Sequence, residues 1–183
     1  MVAYRAMLGP ATALVARLPH PEAWLGLMIA SGFLSDVYDG ILARRWKTDT
    51  DALRLADSAV DIVFYLGILT AVVERHWPSL REHAWLLAAV VCFEAGCKAF
   101  EWLKFGRMAS YHTYSAKLWG ILLAAAAFSL LCFNQASWIL TTALAWGIVC
   151  DLEQLVMSFV LPKWTRDVKT VFHAVSLRRK MLA

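Results

Sequence analysis

The chain is predicted to be all-α and polytopic in a membrane, with six transmembrane helices and both termini cytoplasmic. Three observations predict this. Hydrophobic residues make up 60% of 183 positions against 17% charged, and nine tryptophans exceed what a small soluble core needs. Six apolar stretches approach or exceed the ~20 helical residues that cross a hydrocarbon layer of ~30 Å. Lys and Arg are divided unequally between alternate connections.

The first stretch, 2–18, is short, contains Gly9 and Pro10, and carries Arg5 and Arg17 near its ends. It lacks a small-residue cleavage site and runs directly into the second, so no removed leader is expected. The remaining stretches are 23–44, 54–73, 84–105, 116–133 and 138–161. With both termini inside, fourteen Lys and Arg fall on the inner side: Arg5, Arg44, Arg45, Lys47, Arg54, Lys104, Arg107, Lys117 and six between Lys163 and Lys180. Only three, Arg17, Arg75 and Arg81, fall outside, and Asn134-Gln135-Ala136-Ser137 has no charge. The expected location is a cell membrane, crossed several times as in a bacterial inner membrane, with the active site facing the cytoplasm. Residues 1–183 form one expected domain, and 162–183 are its basic amphipathic cytoplasmic tail. Cys92, Cys97, Cys132 and Cys150 lie in apolar stretches without C-x-x-C spacing, so neither zinc nor a disulfide is expected.

Four carboxylates break the apolar pattern: Asp36, Asp39, Asp57 and Asp61. On helices, the first two are i,i+3 neighbours and the last two i,i+4 neighbours, so each pair shares a face. Ionised groups at a bilayer are costly unless they pair, meet water or hold a metal, which makes a functional reading the default. Four carboxylates without an equal set of cations would repel one another. Two divalent cations would neutralise them.

The spacing resembles the signature of the CDP-alcohol phosphotransferase family, D-x2-D-G-x2-A-R-x8-G-x3-D-x3-D. Asp36, Asp39, Gly40, Ala43, Arg44, Asp57 and Asp61 match seven of its eight fixed positions; Leu53 stands where the family has glycine. Tyr4-Arg5-Ala6-Met7-Leu8-Gly9-Pro10 also resembles the family's R-x4-P in the first helix. The resemblance implies transfer of a phosphatidyl group from a CDP-linked lipid donor, commonly CDP-diacylglycerol, to a small hydroxyl acceptor with release of CMP. It also implies two cations, Mg²⁺ or Mn²⁺, on Asp36, Asp39 and Asp57, with Asp61 as catalytic base and further metal contact. Gly40 and Ala43 would leave room for the nucleotide, Arg44 would bond its diphosphate, and the protein would be a homodimer surrounded by membrane lipids. Leu53, four residues before Asp57, would narrow the nucleotide pocket. Asp49 and Asp51 read as solvated loop charges.

The connection 104–117 holds Arg107, His112 and Lys117, which could form an acceptor-binding anion site or simply face anionic headgroups. Glu94, Lys98 and Glu101 form a stripe at i, i+4 and i+7 that could be structural or could bind the acceptor. Asp151 and Glu153, two apart, should face different directions. Chain length favours phosphatidylglycerophosphate synthesis, but Phe93 before Glu94 departs from the Arg-Glu pair of that branch. In the tail, Val168, Val171, Phe172 and Val175 recur at helical spacing between basic residues, as in an interfacial helix. Topology and membrane potential account for those charges, so no nucleic-acid partner is expected. The alternatives are a catalytically altered family member or a membrane cation-binding or transport protein. Gly40, Ala43 and Arg44 argue against transport, which has no need of them.

Overall fold

In the computed structural model the described residues are 2–46, 51–109, 111, 113–135 and 137–182, with side chains described except at 2, 36, 37, 39–46, 51–58, 137 and 182. They form helices joined by short connections: α1 Val2–Val15, α2 Glu22–Trp46, α3 Asp51–Glu82, α4 Ala84–Phe105, α5 Tyr114–Phe133, α6 Ser137–Val160 and α7 Val171–Leu182. The chain divides into two compact units, Met1–Ser79 with Ala127–Ala136, and Leu80–Ala126 with Ser137–Ala183.

In the first unit α1 crosses α3 where both present glycine. A Cβ at Gly9 would lie 2.5 Å from the Val63 carbonyl oxygen, and one at Gly67 would overlap the Gly9 carbonyl. Small residues let membrane helices approach to backbone contact, which dispersion alone then stabilises. Leu8, Leu25, Ile29, Phe64, Ile68 and Ala71 fill the adjoining core. At one end of the unit Arg17 grips Glu74 through two bonds of 2.6 and 3.1 Å, and Arg75 bonds Glu22 and the Ala16 carbonyl at 3.1 and 3.0 Å. α3 outruns its predicted end at residue 73. It bends at His76 (φ −125°, ψ 29°), two residues before Pro78, whose ring cannot fit a straight helix and whose nitrogen has no hydrogen to donate.

The second unit is built on α4 against α6. Phe100 stacks on Phe159 at 4.3 Å, and Cys97 Sγ donates to the Asp151 carbonyl at 3.3 Å. Gly147 lets α6 meet the Trp119 indole of α5, where an added Cβ would sit 3.0 Å from the ring. α4 ends at Gly106, whose left-handed backbone (φ 69°) lets its N–H bond the Trp102 carbonyl at 2.9 Å.

The tail differs from expectation in its buried face. Val168 and Ala174 are fully buried against Met157 and Leu161 at the end of α6, while Phe172 is 87% exposed. The apolar end of α6 therefore takes the Val168–Val171–Ala174–Leu177 face, and Phe172 points away with the basic residues.

Among the described residues two helices are long and apolar enough to cross a membrane, Tyr114–Phe133 and Trp138–Val160, and the Glu22–Ser35 part of α2 is a shorter apolar stretch. The α5 window is only 17% buried within the protein, whereas the core helix of a soluble protein would be mostly covered. Trp85, Trp138, Val91 and Leu103 are likewise more than half exposed, as lipid-facing side chains are. Glu94, Lys98 and Glu101 interrupt the apolar run of α4.

Candidate functional site

The carboxylate motif lies on α2 and α3 of the first unit. The backbone of α2 is helical through Asp36, Asp39, Gly40, Ala43 and Arg44, and that of α3 through Leu53, Asp57 and Asp61. The i,i+3 and i,i+4 spacings therefore act as helical spacings, and each carboxylate pair falls on one face by register. The side chains of Asp36, Asp39, Gly40, Ala43, Arg44, Leu53 and Asp57 lie outside the described ones, and Asp49 outside the described residues altogether. Ser35, four residues before Asp39 and so on its face, is 6% exposed, and its hydroxyl finds no partner among the described residues.

Asp61 is described, and it pairs with the arginine of the R-x4-P, for which the sequence names no partner. Arg5 of α1, fully buried, donates through Nη1 to Asp61 Oδ1; the side chains are 1% and 28% exposed. By sequence Arg5 counts among the inner charges. The available signal is an arginine near the start of an apolar stretch, which a carboxylate partner would make tolerable when buried there. The Gly9–Gly67 crossing brings α1 close enough to α3 for that contact. Arg5 thus holds the Asp61 carboxylate in one orientation.

Among the described residues no three His, Cys, Asp or Glu side chains converge as metal ligands. The set that the motif supplies is nonetheless of hard carboxylate oxygens paired by helical register, with an orphaned buried hydroxyl on the same face. That donor chemistry suits Mg²⁺ or Mn²⁺ and not a soft metal.

The basic connection belongs to the second unit. Arg107 is exposed and lies over the Trp164 ring at 4.2 Å; Lys117 lies 5.7 Å from the Tyr114 ring centroid. His112 falls outside the described residues. The three are therefore not shown as one cluster. The Glu94–Lys98–Glu101 stripe is resolved in favour of structure at Glu101. That carboxylate is fully buried and accepts from Gln154 Nε2 at 2.7 Å, Ser158 Oγ at 3.2 Å and the Ala109 amide at 2.9 Å. Lys98 pairs with Glu94 at 3.3 Å. Tyr111 bonds Ser158 Oγ at 3.1 Å, and burial pushes its phenol above the ordinary range while that bond opposes the shift. Asp151 is buried and Glu153 accepts from Ser115 Oγ, so the two do face different neighbours.

The sequence profile of the CDP-alcohol phosphatidyltransferase family matches residues 1–151. A curated relative, a CMP-forming cardiolipin synthase from Streptomyces coelicolor, is 34% identical over 77 residues, covering 42% of this chain and 34% of the relative. The chain thus spans about a third of the length of that relative. No solved structure matches.

Proposed function

The chain belongs to the CDP-alcohol phosphatidyltransferase family, and on that premise we propose that it is a divalent-cation-dependent phosphotransferase of phospholipid biosynthesis. It moves a phosphatidyl group from CDP-diacylglycerol to an acceptor hydroxyl and releases CMP. The observation that carries this reading is the motif itself, set on two helices in the required register, with Asp61 oriented by a buried arginine.

The acceptor oxygen forms a new bond to the β-phosphorus, and the bond from that phosphorus to the CMP oxygen breaks. Arg44 donates charge-assisted hydrogen bonds to the diphosphate. Gly40 and Ala43 leave the helix face low enough for the nucleotide. Asp61 receives the acceptor proton, and Arg5 holds its carboxylate in one orientation, so that proximity supplies much of the acceleration. Asp36, Asp39 and Asp57, with Asp61, would hold two Mg²⁺ or Mn²⁺ ions, which when bound neutralise charge on the diphosphate. Arg107, Lys117 and His112 are assigned to the anionic part of the acceptor.

The remaining parts of the reading follow from charge and family. Six spans with both termini cytoplasmic place fourteen cations inside, and two of the three outer ones, Arg17 and Arg75, are neutralised by Glu74 and Glu22. The chain is read as one catalytic domain with a tail from 162, homodimeric in a bacterial inner membrane. The test is a radiolabelled CDP-diacylglycerol assay with a panel of acceptors, following CMP and lipid product together. Stoichiometric CMP and a new phospholipid are expected. Cation flux without CMP release would replace the enzyme reading with the transport one.

A further inference from the structure

Described residues of the connection between α4 and α5 are bonded in part by residues that lie beyond the family match, which ends at 151. Gly106 turns the chain out of α4, and Ala109 N–H is fixed on buried Glu101. Tyr111 is fixed on Ser158 of α6, and the Met108 carbonyl accepts from Trp164 Nε1 at 3.0 Å. In sequence Trp164 lies between fully buried Leu161 and Val168, which pack into the α6–α7 core. Arg107 therefore stands on a backbone fixed on both sides, and its guanidinium lies 4.2 Å from the Trp164 ring centroid.

That arrangement differs from four of the other described cations, while Lys117 likewise faces a ring, that of Tyr114. Arg17, Arg75 and Lys98 each have a carboxylate, and Lys104 donates to the Ser158 and Phe159 carbonyls. Arg107 has the ring and no carboxylate among the described residues. Stacking covers one face of a guanidinium, while its N–H groups point outward in the plane. Those edges remain a planar fork that matches two oxygens of a phosphate. A flexible exposed arginine would lose side-chain entropy on binding an anion; one already stacked loses less.

We propose that Arg107 and Trp164 form a phosphate-recognition element in which Trp164 is the positioning residue for the Arg107 guanidinium. Its ligand is a phosphate ester, carried either by an acceptor alcohol or by a lipid headgroup. The inference rests on the reading of Arg107 as an anion contact given above, and adds to it the residue from the segment after 151 that makes the contact specific.

The experiment compares Arg107→Ala, Trp164→Leu and Trp164→Phe with the parent, as full chains in nanodiscs, by CMP release from CDP-diacylglycerol. One arm titrates glycerol 3-phosphate. The other measures the rate in zwitterionic nanodiscs with and without phosphatidic acid. If the phosphate is the acceptor's, Arg107→Ala raises the KM for glycerol 3-phosphate roughly tenfold while the donor KM stays at the parent value. If it is a headgroup's, Arg107→Ala removes the response to phosphatidic acid. In either case Trp164→Leu produces the same change, about three- to fivefold, because exposed cation–π contacts are of that size. Trp164→Phe keeps the ring, loses the bond to Met108, and stays within about twofold of the parent. Combining Arg107→Ala with Trp164→Leu adds nothing to Arg107→Ala alone.

Parental behaviour of Trp164→Leu where Arg107→Ala shifts would overturn the positioning role. So would a Trp164→Leu variant that loses kcat with every KM and the lipid response unchanged, since that is a structural clamp. Parental behaviour of Arg107→Ala in both arms removes the anion reading itself, and the inference with it. A parent showing neither saturation by glycerol 3-phosphate nor a lipid response does the same.

Discussion

Single side chains carry the sharpest tests, because a carboxylate differs from its amide by charge and hardly at all by volume. Asp36→Asn and Asp57→Asn each remove a proposed ligand oxygen, and turnover should fall at least ~100-fold, with added Mn²⁺ or Mg²⁺ restoring little. Near-parental turnover in either variant would remove the two-cation reading. Asp61→Asn should differ: transfer is abolished while cytidine nucleotide still binds, as equilibrium binding of CDP would report. Joint loss of both would make Asp61 a ligand first and a base second. Leu53 tests the departure from the family pattern. Leu53→Gly should tighten CDP binding if residue 53 faces the nucleotide, offset by up to ~1 kcal/mol of helix stability, and Leu53→Trp should block binding. Equal CDP affinity in Leu53→Trp and the parent would turn residue 53 away from the pocket. The Arg5–Asp61 pair marks the limit of reading at this scale. Each charge is visible in the sequence, but their separation of 56 positions is closed only by the crossing of α1 on α3.

Helices were legible because apolar length is written along the chain. α4 begins and ends where its apolar stretch does, and α2 and α6 differ from theirs by a few residues. The continuation of α3 to Glu82 was not, since Glu74-Arg75-His76 reads as a polar connection and Pro78 as a stop, yet the chain bends and goes on. The partners of Glu101 were equally hidden: Gln154 and Ser158 are 53 and 57 positions away, and no local pattern encodes them. Two predictions belong here. Gly67→Leu must push α1 away, because even a Cβ overlaps the Gly9 carbonyl. A loss of about 3 kcal/mol or more is expected, seen as a lower thermal unfolding midpoint and lost activity, while Gly120→Leu, where nothing lies within 4 Å, should be neutral. An unfolding midpoint unmoved by Gly67→Leu would refute the close crossing. The bend predicts acid sensitivity. His76 is buried, and burial first, then the neighbouring Arg75 charge, hold its pKa below the ordinary 6.5. The unfolded chain then binds a proton that the folded one resists, so stability is full above about 6.5 and declines as pH falls through the window below it. His76→Gln should flatten that decline in a thermal unfolding series against pH.

At the scale of the whole chain the governing quantity is where the positive charge lies. Fourteen Lys and Arg occupy the ends and connections assigned to the cytoplasm. Of the three assigned outside, Arg17 and Arg75 are tied to Glu74 and Glu22 by bonds of 2.6 and 3.1 Å. The bias that orients the chain is read from the Lys and Arg counts alone, fourteen against three. The tail adds to it, since α7 buries Ala174 against α6 and leaves Arg178, Arg179 and Lys180 exposed. Both termini are therefore expected in the cytoplasm and the connection at Asn134 outside. Reporter fusions decide this. A fluorescent protein that matures only in the cytoplasm should light when fused after residue 183 and stay dark when inserted at Asn134, with a periplasm-dependent phosphatase giving the reverse pattern. Replacing Arg178, Arg179 and Lys180 by Gln should leave the orientation intact, because Arg44, Arg45, Arg54, Lys104 and Lys117 still hold the bias. A phosphatase active at residue 183 would invert the topology. It would place the aspartates on the face without cytidine nucleotides, and the proposed reaction would lose its donor.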